Sequence, residues 1–176
     1  LGVPIFEGYG MTENTGYATG NDYDNISLGT VGVPNKGCEL KLADDGEILI
    51  RHGGVFKGYF KNEEATKETI DEDGWLYTGD VGEMHGQFVK IVDRKKDIII
   101  TSGGKNVSPS EIENALKVSP FIKDAIVIGD KRKFLSALIA IEFDIVSNWA
   151  VRKGITHTTY RDLSEKEEVR ELIGKE

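Results

Sequence analysis

Five consecutive charged residues at positions 93–97 divide the chain into two parts with different sequence patterns. The part before them is rich in glycine and in short apolar runs, which is typical of strands joined by tight turns. The part after them combines short apolar runs with stretches of helical apolar spacing. We therefore expect an α+β chain with two domains, residues 1–95 and 96–176.

The first part predicts the strands of one sheet or barrel. Asp45 and Gly46 separate the apolar runs 39–42 and 47–50, and an Asp-Gly pair in that position is a strong signal for a β-hairpin. Asn62 predicts the cap of a short helix. Two further strands are predicted at residues 75–77 and 88–92. The expected fold of this part is a glycine-rich, β-barrel-like unit.

The second part predicts the element order βαββα, followed by a terminal helix. Ser108 begins a capping-box pattern that has proline at the first helical position. Asp144 predicts the start of a longer helix, and Ser164 begins a second capping-box pattern that predicts the start of the terminal helix. The short strands are predicted at residues 98–100, 125–128 and 137–141.

The charge and the hydropathy exclude two broad classes of protein. Lys and Arg number 22 against 30 Asp and Glu, so the formal net charge is −8, whereas a nucleic-acid backbone is bound by a basic face. No apolar run approaches the ~20 residues that cross a bilayer. The single cysteine, Cys38, fits a reducing compartment. We expect a cytoplasmic protein that binds no nucleic acid and has no transmembrane segment; peripheral membrane association stays open.

Two motifs in the first part have both a functional and a structural interpretation. In Tyr-Gly-Met-Thr-Glu at residues 9–13, Thr12 offers a hydroxyl and Glu13 a carboxylate suited to a hard cation. The alternative is a turn into a helix that Thr12 caps. In Thr-Gly-Asp at residues 78–80, Asp80 can accept hydrogen bonds from vicinal hydroxyls, as in ribose recognition. The alternative there is a strand that ends in an Asx turn.

Two more motifs lie at and after the charged run. Arg94 offers a forked set of donors to ribose or phosphate oxygens, and the alternative is that residues 93–97 form a solvated linker. Gly103 and Gly104 can cradle a phosphate or let a thin chain pass, and the alternative is a plain strand-to-helix turn. Their loop lacks the spacing of a P-loop and of a dinucleotide-binding motif. Taken singly, none of these motifs decides a function.

The order and spacing of the motifs resemble one family, the adenylate-forming acyl-CoA synthetases, whose relatives include firefly luciferase and the adenylation domains of peptide synthetases. The motifs that carry the resemblance occupy residues 9–13, 73–80, 93–97 and 103–113. Two segments, residues 93–97 and 124–139, are most similar to the long-chain fatty acyl-CoA synthetases. The resemblance covers nearly the whole chain and implies the β-rich end of a large AMP-binding domain followed by a small mobile domain.

The resemblance implies a ligase that uses ATP, Mg²⁺ and coenzyme A. Members of the family activate a carboxylate as an acyl-adenylate with release of pyrophosphate, and the thiol of coenzyme A then displaces AMP. Each motif position carries an implied role. Tyr9 would pack on adenine beside Gly10, Thr12 would donate to the α-phosphate, Glu13 would hold Mg²⁺, and Asp80 and Arg94 would bind the ribose.

The resemblance also implies a rotation of the small domain between the two half-reactions. The hinge of the family falls two residues after the motif arginine, which here is Lys96. Gly103 and Gly104 would then face the tunnel of the pantetheine arm, where a Cβ atom would narrow the passage. The small-molecule partners implied are a long-chain fatty acid, ATP and coenzyme A.

Two family features are expected to lie outside this sequence: a phosphate-binding loop upstream of residue 9, and a lysine in a terminal Gly-Lys motif. The chain therefore reads as a fragment that is inactive by itself and that self-associates through uncovered apolar surface. Several alternatives stay open at this point. They are an aryl-CoA ligase, a luciferase-like oxygenase, a peptide-synthetase adenylation domain and a non-catalytic nucleotide-binding module.

Overall fold

The computed structural model describes residues 2–176. Its contacts separate two compact units, Leu1–Lys96 and Asp97–Glu176. This division falls one residue after the boundary that the sequence predicts. The identity of the second unit as a mobile domain stays a prediction.

A small three-stranded antiparallel sheet opens the first unit, with a 3₁₀ helix at Thr12–Asn14 between its first two strands. Gly32 precedes the third strand and has a φ of +87°. A Cβ atom there would meet the backbone of Gly20, so a larger residue would separate the second and third strands. The strands are β1 (Gly8–Tyr9), β2 (Thr19–Gly20) and β3 (Val33–Pro34).

A four-stranded antiparallel sheet follows in the first unit. Its strands, paired in chain order, are β4 (Glu39–Leu42), β5 (Glu47–Arg51), β6 (Leu76–His85) and β7 (Phe88–Arg94). Gly46 lies in the β4–β5 turn with a φ of +83°, which confirms the predicted Asp-Gly hairpin. Helix α1 (Glu63–Thr69) is capped by the Asn62 side chain, which accepts from the N–H of Ala65, as predicted.

The two sheets of the first unit are joined at β7. The N–H of Val31 donates to the carbonyl of Val89, and the N–H of Val89 donates to the carbonyl of Gly32, each at 2.8 Å. The fully buried side chains beneath this junction are Ala18, Ile48, Ile50 and Val89. The result is a curled sheet in a mixed fold of helices and strands, which confirms the predicted fold class.

The second unit contains two hairpins and four helices. Its elements are β8 (Ile99–Ile100), β9 (Asn106–Val107), α2 (Pro109–Leu116), β10 (Ile122–Ile128), β11 (Ser136–Ile141), α3 (Phe143–Arg152), α4 (Tyr160–Ser164) and α5 (Glu167–Ile173). The predicted order βαββα with a terminal helix lacks β9 and α4, which are two and five residues long. Elements this short carry too few residues for a periodic pattern.

Of the two predicted capping-box serines, Ser108 caps its helix and Ser164 does not. The Ser108 hydroxyl accepts from the N–H of Glu111 at 3.2 Å and caps α2. Ser164 instead ends α4, where its hydroxyl donates to the carbonyl of Arg161. The cap of α4 is Thr159. Helix α3 also begins earlier than predicted, with its cap at position 142 and Asp144 in the first turn.

The core of the second unit lies where α3, α4 and α5 meet the end of β11. Its buried side chains are Ile141, Val146, Ala150, Leu163 and Val169. Within residues 2–176, none of the helices combines the length and the apolar character that a membrane crossing requires.

Candidate functional site

The segment 78–80 is a bulge inside β6. Glu47 of β5 pairs with Val81, and Leu49 pairs with Tyr77, so three residues of β6 lie opposite the single residue Ile48. The Thr78 hydroxyl donates to the Ile48 carbonyl at 2.8 Å and replaces the missing ladder bond. Bulges re-aim side chains and are common beside active sites. The predicted alternative, a strand ending in an Asx turn, is wrong, because β6 continues through residue 85.

The bulge brings three of the predicted residues together. Asp80 and Arg94 are paired positions of β6 and β7. The Arg94 Nε lies 2.9 Å from Asp80 Oδ1, and the Tyr9 hydroxyl donates to Asp80 Oδ2 at 2.5 Å. Tyr9 and Arg94, which lie 85 positions apart in the chain, thus share one carboxylate.

Asp80 is nearly buried, and its carboxylate has more acceptor positions than Tyr9 and Arg94 use. The Asp80 side chain is 11% exposed, and that of Arg94 is 54% exposed. Burial, and then the hydrogen bond to Asp80, raise the pKa of the Tyr9 phenol far above its ordinary value, so it stays a neutral donor. A carboxylate has about four acceptor positions, and Tyr9 and Arg94 use two of those on Asp80.

Thr12 and Glu13 lie in the 3₁₀ helix, apart from that cluster. Thr12 is exposed and does not cap the helix, whose N-cap is Met11. The Tyr59 hydroxyl donates to Glu13 Oε1 at 2.8 Å, and this bond is the main cause of the raised pKa of Tyr59. Within residues 2–176, no hydrogen bond or ion pair joins Thr12 or Glu13 to Asp80.

The groups around Glu13 fit one mode of magnesium binding, in which the protein supplies a single carboxylate. No group of three or more His, Cys, Asp or Glu residues among residues 2–176 could hold a metal ion. Mg²⁺ is commonly held by one or two carboxylates together with substrate phosphates. The half-buried Glu13 carboxylate, oriented by Tyr59, fits a Mg²⁺ ion that takes its other ligands from a nucleotide and water.

Gly10 has a structural explanation of its own. A Cβ atom at this position would collide with the backbone of Gly16, because the chain folds back after the 3₁₀ helix. The close approach that requires glycine here is therefore to the protein itself. The assignment of Gly10 to nucleotide binding stays a prediction.

Gly103 and Gly104 lie at the tip of the β8–β9 hairpin, so the alternative of a strand-to-helix turn is wrong. The N–H of Thr101 donates to the carbonyl of Lys105 at 3.0 Å, and the N–H of Gly104 donates to the carbonyl of Thr101 at 2.9 Å. Gly104 has a φ of +78°, whereas a Cβ atom on Gly103 would meet nothing closer than 4.0 Å. The fold of the second unit therefore requires glycine at 104 and not at 103.

Three residues near the bulge carry contacts that the sequence did not single out. The Glu47 carboxylate accepts from the N–H of Gly79 at 2.9 Å and from Lys95 Nζ at 2.7 Å. Lys95 also pairs with Asp45 at 2.7 Å, and this contact, followed by that to Glu47, raises its pKa. The predicted hinge, Lys96, is the exposed last residue of the first unit. Glu47 lies in the sequence Gly-Glu-Ile at residues 46–48, which gives no signal of its contact with Lys95.

Two family models match the chain. One, described as AMP-binding enzyme, matches residues 1–60, and the other, described as AMP-binding enzyme C-terminal domain, matches residues 96–158. Between them they include the predicted positions in residues 9–13, Lys96, Gly103 and Gly104. Asp80 and Arg94 lie between the two matched ranges.

Two curated relatives and one solved structure are similar to this chain. Long-chain-fatty-acid–CoA ligase FadD15 of Mycobacterium bovis is 44% identical over 156 residues, which is 88% of this chain and 26% of the relative. Long chain acyl-CoA synthetase 6, peroxisomal, of Arabidopsis thaliana is 37% identical over 189 residues, 98% of this chain and 27% of the relative. This chain thus spans about a quarter of the length of these relatives.

The solved structure is that of O-succinylbenzoate coenzyme A synthetase from Bacillus subtilis, in complex with ATP and magnesium ion. It superposes with a TM-score of 0.71 at 34% identity, over 80% of this chain and 32% of that chain. The likeness therefore extends to the backbone over most of the described residues.

Proposed function

This chain belongs to the AMP-binding enzyme family, and from that premise we propose that the whole protein is an ATP-dependent ligase that joins a long-chain fatty acid to coenzyme A. The names of the relatives that are 37–44% identical support the fatty-acid class. The observation that carries the proposal is the meeting of Tyr9, Asp80 and Arg94 around one carboxylate.

The proposed reaction has two half-reactions. In the first, a carboxylate oxygen of the fatty acid attacks the α-phosphorus of ATP, an acyl–phosphate bond forms, and pyrophosphate leaves. In the second, the sulfur of coenzyme A attacks the acyl carbon, a thioester forms, and AMP leaves with the bonding electron pair while the thiol proton goes to solvent. In such reactions the protein contributes positioning and charge stabilisation.

The Asp80 cluster would hold the ribose during both half-reactions. Its two free acceptor positions suit the 2′ and 3′ hydroxyls, and Arg94 has donors beyond the Nε that binds Asp80. Tyr9, fixed by its bond to Asp80, would present its ring to the adenine. Holding the ribose in this way would fix the position of the α-phosphate relative to the carboxylate of the incoming fatty acid.

The 3₁₀ helix would act on the phosphates. The exposed Thr12 hydroxyl would donate to the α-phosphate, and Glu13, held by Tyr59, would hold Mg²⁺. The ion, when bound, offsets negative charge on the phosphates. The protein groups thereby orient the nucleotide without themselves exchanging a proton.

The second unit would serve the thioester step. Lys96, at the end of the first unit, would absorb the backbone rotation, and Gly103 with Gly104 would line the path of the pantetheine arm. The absence of any neighbour that demands glycine at 103 supports this assignment, since the residue type then serves something outside the fold of its own unit.

A substrate panel tests the proposal. The whole protein, given ATP, Mg²⁺ and coenzyme A, is expected to form thioesters from long-chain fatty acids in preference to aryl and amino acids. A preference for o-succinylbenzoate or another aryl acid would assign it to the aryl-CoA ligases instead. A protein that binds AMP but exchanges no pyrophosphate into ATP would be a nucleotide-binding module.

Three further predictions concern the setting of the protein. We propose a cytoplasmic location, which the free thiol of Cys38 supports. Peripheral contact with a membrane would bring the enzyme to its apolar substrate, and flotation with vesicles would detect it. Self-association of the 176-residue chain also stays a prediction, and gel filtration at high concentration would contradict it by showing a monomer.

A further inference from the structure

The bulge of β6 leaves backbone groups that the β-ladder does not pair. Residues 78–80 lie opposite the single residue Ile48, so the ladder bonds of this stretch are interrupted. Side chains supply the replacements: the Thr78 hydroxyl serves the Ile48 carbonyl, and the Glu47 carboxylate serves the N–H of Gly79. Unpaired backbone groups away from water are costly, so both side chains are needed to keep the bulge in this form.

The second oxygen of Glu47 connects the bulge to the end of β7. It accepts from Lys95 Nζ at 2.7 Å, and the N–H of Lys95 donates to the carbonyl of Gly79 at 2.8 Å. Glu47, Gly79 and Lys95 therefore form a closed ring of three contacts. Gly79, whose φ is +72°, is held at both its N–H and its carbonyl.

The position of this ring in the chain gives it a role in the site. Gly79 directly precedes Asp80, and Lys95 directly follows Arg94. We infer that Glu47 and Lys95 are positioning residues, which fix the distance between the Asp80 carboxylate and the Arg94 guanidinium. The inference rests on the proposed function, because the pair they position is the proposed ribose grip.

The exposure of the pair argues against a purely stabilising role. The side chain of Glu47 is 6% exposed, whereas that of Lys95 is 47% exposed, and ion pairs with one partner in water contribute little net stability. What a buried carboxylate offers is two acceptor atoms in fixed geometry, here one for each strand. The other carboxylate on Lys95, that of Asp45, belongs to a side chain that is 52% exposed and that also accepts from the N–H of Glu47.

Matched variants of the whole protein test the inference. Glu47→Gln keeps an oxygen for the N–H of Gly79 and loses the bond to the ammonium. Lys95→Met keeps the aliphatic stem and loses the charge. Asp45→Asn is the control, because it removes a carboxylate from the same lysine while its amide oxygen still accepts from the N–H of Glu47, as Asp45 Oδ1 does at 3.1 Å.

The kinetic readout is ATP–pyrophosphate exchange. We expect Glu47→Gln and Lys95→Met each to raise the KM for ATP by about tenfold, the size of one charge-assisted hydrogen bond that a displaced Asp80–Arg94 pair would no longer make to the ribose, with kcat little changed. Lys95→Arg is expected to restore most of the affinity, and Asp45→Asn to match the unsubstituted protein. An unchanged KM with a kcat that falls in step with the folded fraction would overturn the inference, as would an equal rise in KM for Asp45→Asn.

A second readout does not depend on activity. Amide hydrogen exchange of Gly79, followed by NMR, is expected to be slow in the unsubstituted protein and fast in Glu47→Ala, with other β6 amides still protected. A fast Gly79 amide in the unsubstituted protein would overturn the inference even if the protein is a ligase. A protein that makes no adenylate but shows this protection pattern would overturn the proposed function and leave the ring of contacts standing.

Discussion

Two glycine positions of this chain, the turn at Gly79 within the β6 bulge and the turn at Gly104 between β8 and β9, look alike in the sequence and differ in the structure. Gly79 and Gly104 both have positive φ, +72° and +78°. Gly79 lies among strands that supply a carboxylate and a backbone N–H for its peptide groups. Gly104 lies at an exposed hairpin tip, closed mainly by the backbone of Thr101 and Lys105.

The comparison shows that the same local feature, a glycine with positive φ, has different consequences in different surroundings. A turn that neighbouring strands brace on both sides becomes a fixed platform, and the side chain that follows it, Asp80, is aimed accurately. A turn with no neighbours of that kind leaves backbone open to a ligand that passes by. Under the proposed function, the first turn would help to hold a nucleotide and the second would line the passage of a flexible arm.

The largest expected effect comes from a substitution next to Gly79, the turn that neighbouring residues hold at both its N–H and its carbonyl. Asp80→Ala removes the acceptor of both proposed ribose hydroxyls and leaves Arg94 without its partner. We expect the affinity for AMP to fall by about a hundredfold, since each hydrogen bond to a charged group is worth about 1.5–3 kcal/mol. Isothermal titration with AMP measures it, and Asp73→Ala, at an exposed carboxylate of the same unit, is the control. Equal affinities for Asp80→Ala and the unsubstituted protein would remove Asp80 from the site.

The second effect compares the two turns directly. Alanine at a positive φ costs roughly 1–2 kcal/mol, and a braced turn has less freedom to relax than an open one. We expect Gly79→Ala to lower the free energy of unfolding by about 2 kcal/mol and Gly104→Ala by about 1 kcal/mol or less. Denaturant unfolding measures both variants. A larger loss for Gly104→Ala would mean that the exposed hairpin is the more constrained of the two turns.

The third effect concerns the open turn alone. Gly103→Ala meets no neighbour within its own unit, so we expect no change in the free energy of unfolding. A methyl group that narrows the proposed path of the pantetheine arm is expected to slow thioester formation about fivefold and to leave ATP–pyrophosphate exchange unchanged. Gly53→Ala, at another glycine with open space around it, is the control. Equal rates for Gly103→Ala and the control would remove Gly103 from that path.

The smallest effect is a pH dependence of the free energy of unfolding, caused by the Tyr9 phenol that donates to Asp80. Burial and the bond to Asp80 raise the pKa of the Tyr9 phenol above 10, so the fold favours its neutral form. The stability that this contributes is complete below about pH 10 and declines as the pH rises further, because the unfolded chain ionises first. Unfolding free energies of the unsubstituted protein and Tyr9→Phe are expected to converge at high pH. A constant difference across that range would show that the phenol ionises equally in both states.

Much of the secondary structure was predictable, because its signals are local. The Asp-Gly hairpin at Gly46 and the caps at Asn62 and Ser108 each depend on residues within four positions of one another. The prediction failed at Ser164, where an equally good local pattern competed with a tertiary demand. Leu163 is fully buried in the core, and its helix continues through Ser164.

The sequence singled out three of the clustered residues but not their geometry. Tyr9, Asp80 and Arg94 stood out through their motifs, and the structure brings them together. The contact of Lys95 with Glu47, 48 positions away, had no signal in a run of charges that also reads as a solvated linker. Pairing of this kind depends on which strands lie side by side, which no local pattern states.

The sequence by itself determined the Asp-Gly turn at Gly46, the caps at Asn62 and Ser108 and the family to which the chain belongs, since each depends on residue types at short or fixed spacing. The tertiary structure alone decided that residues 78–80 bulge, that Glu47 and Lys95 join the strand ends on either side of Asp80 and Arg94, and that Gly103 stays open. The physical reason is that strand register and burial are set by the packing of whole sheets, and these select one of several arrangements that the local chain allows equally.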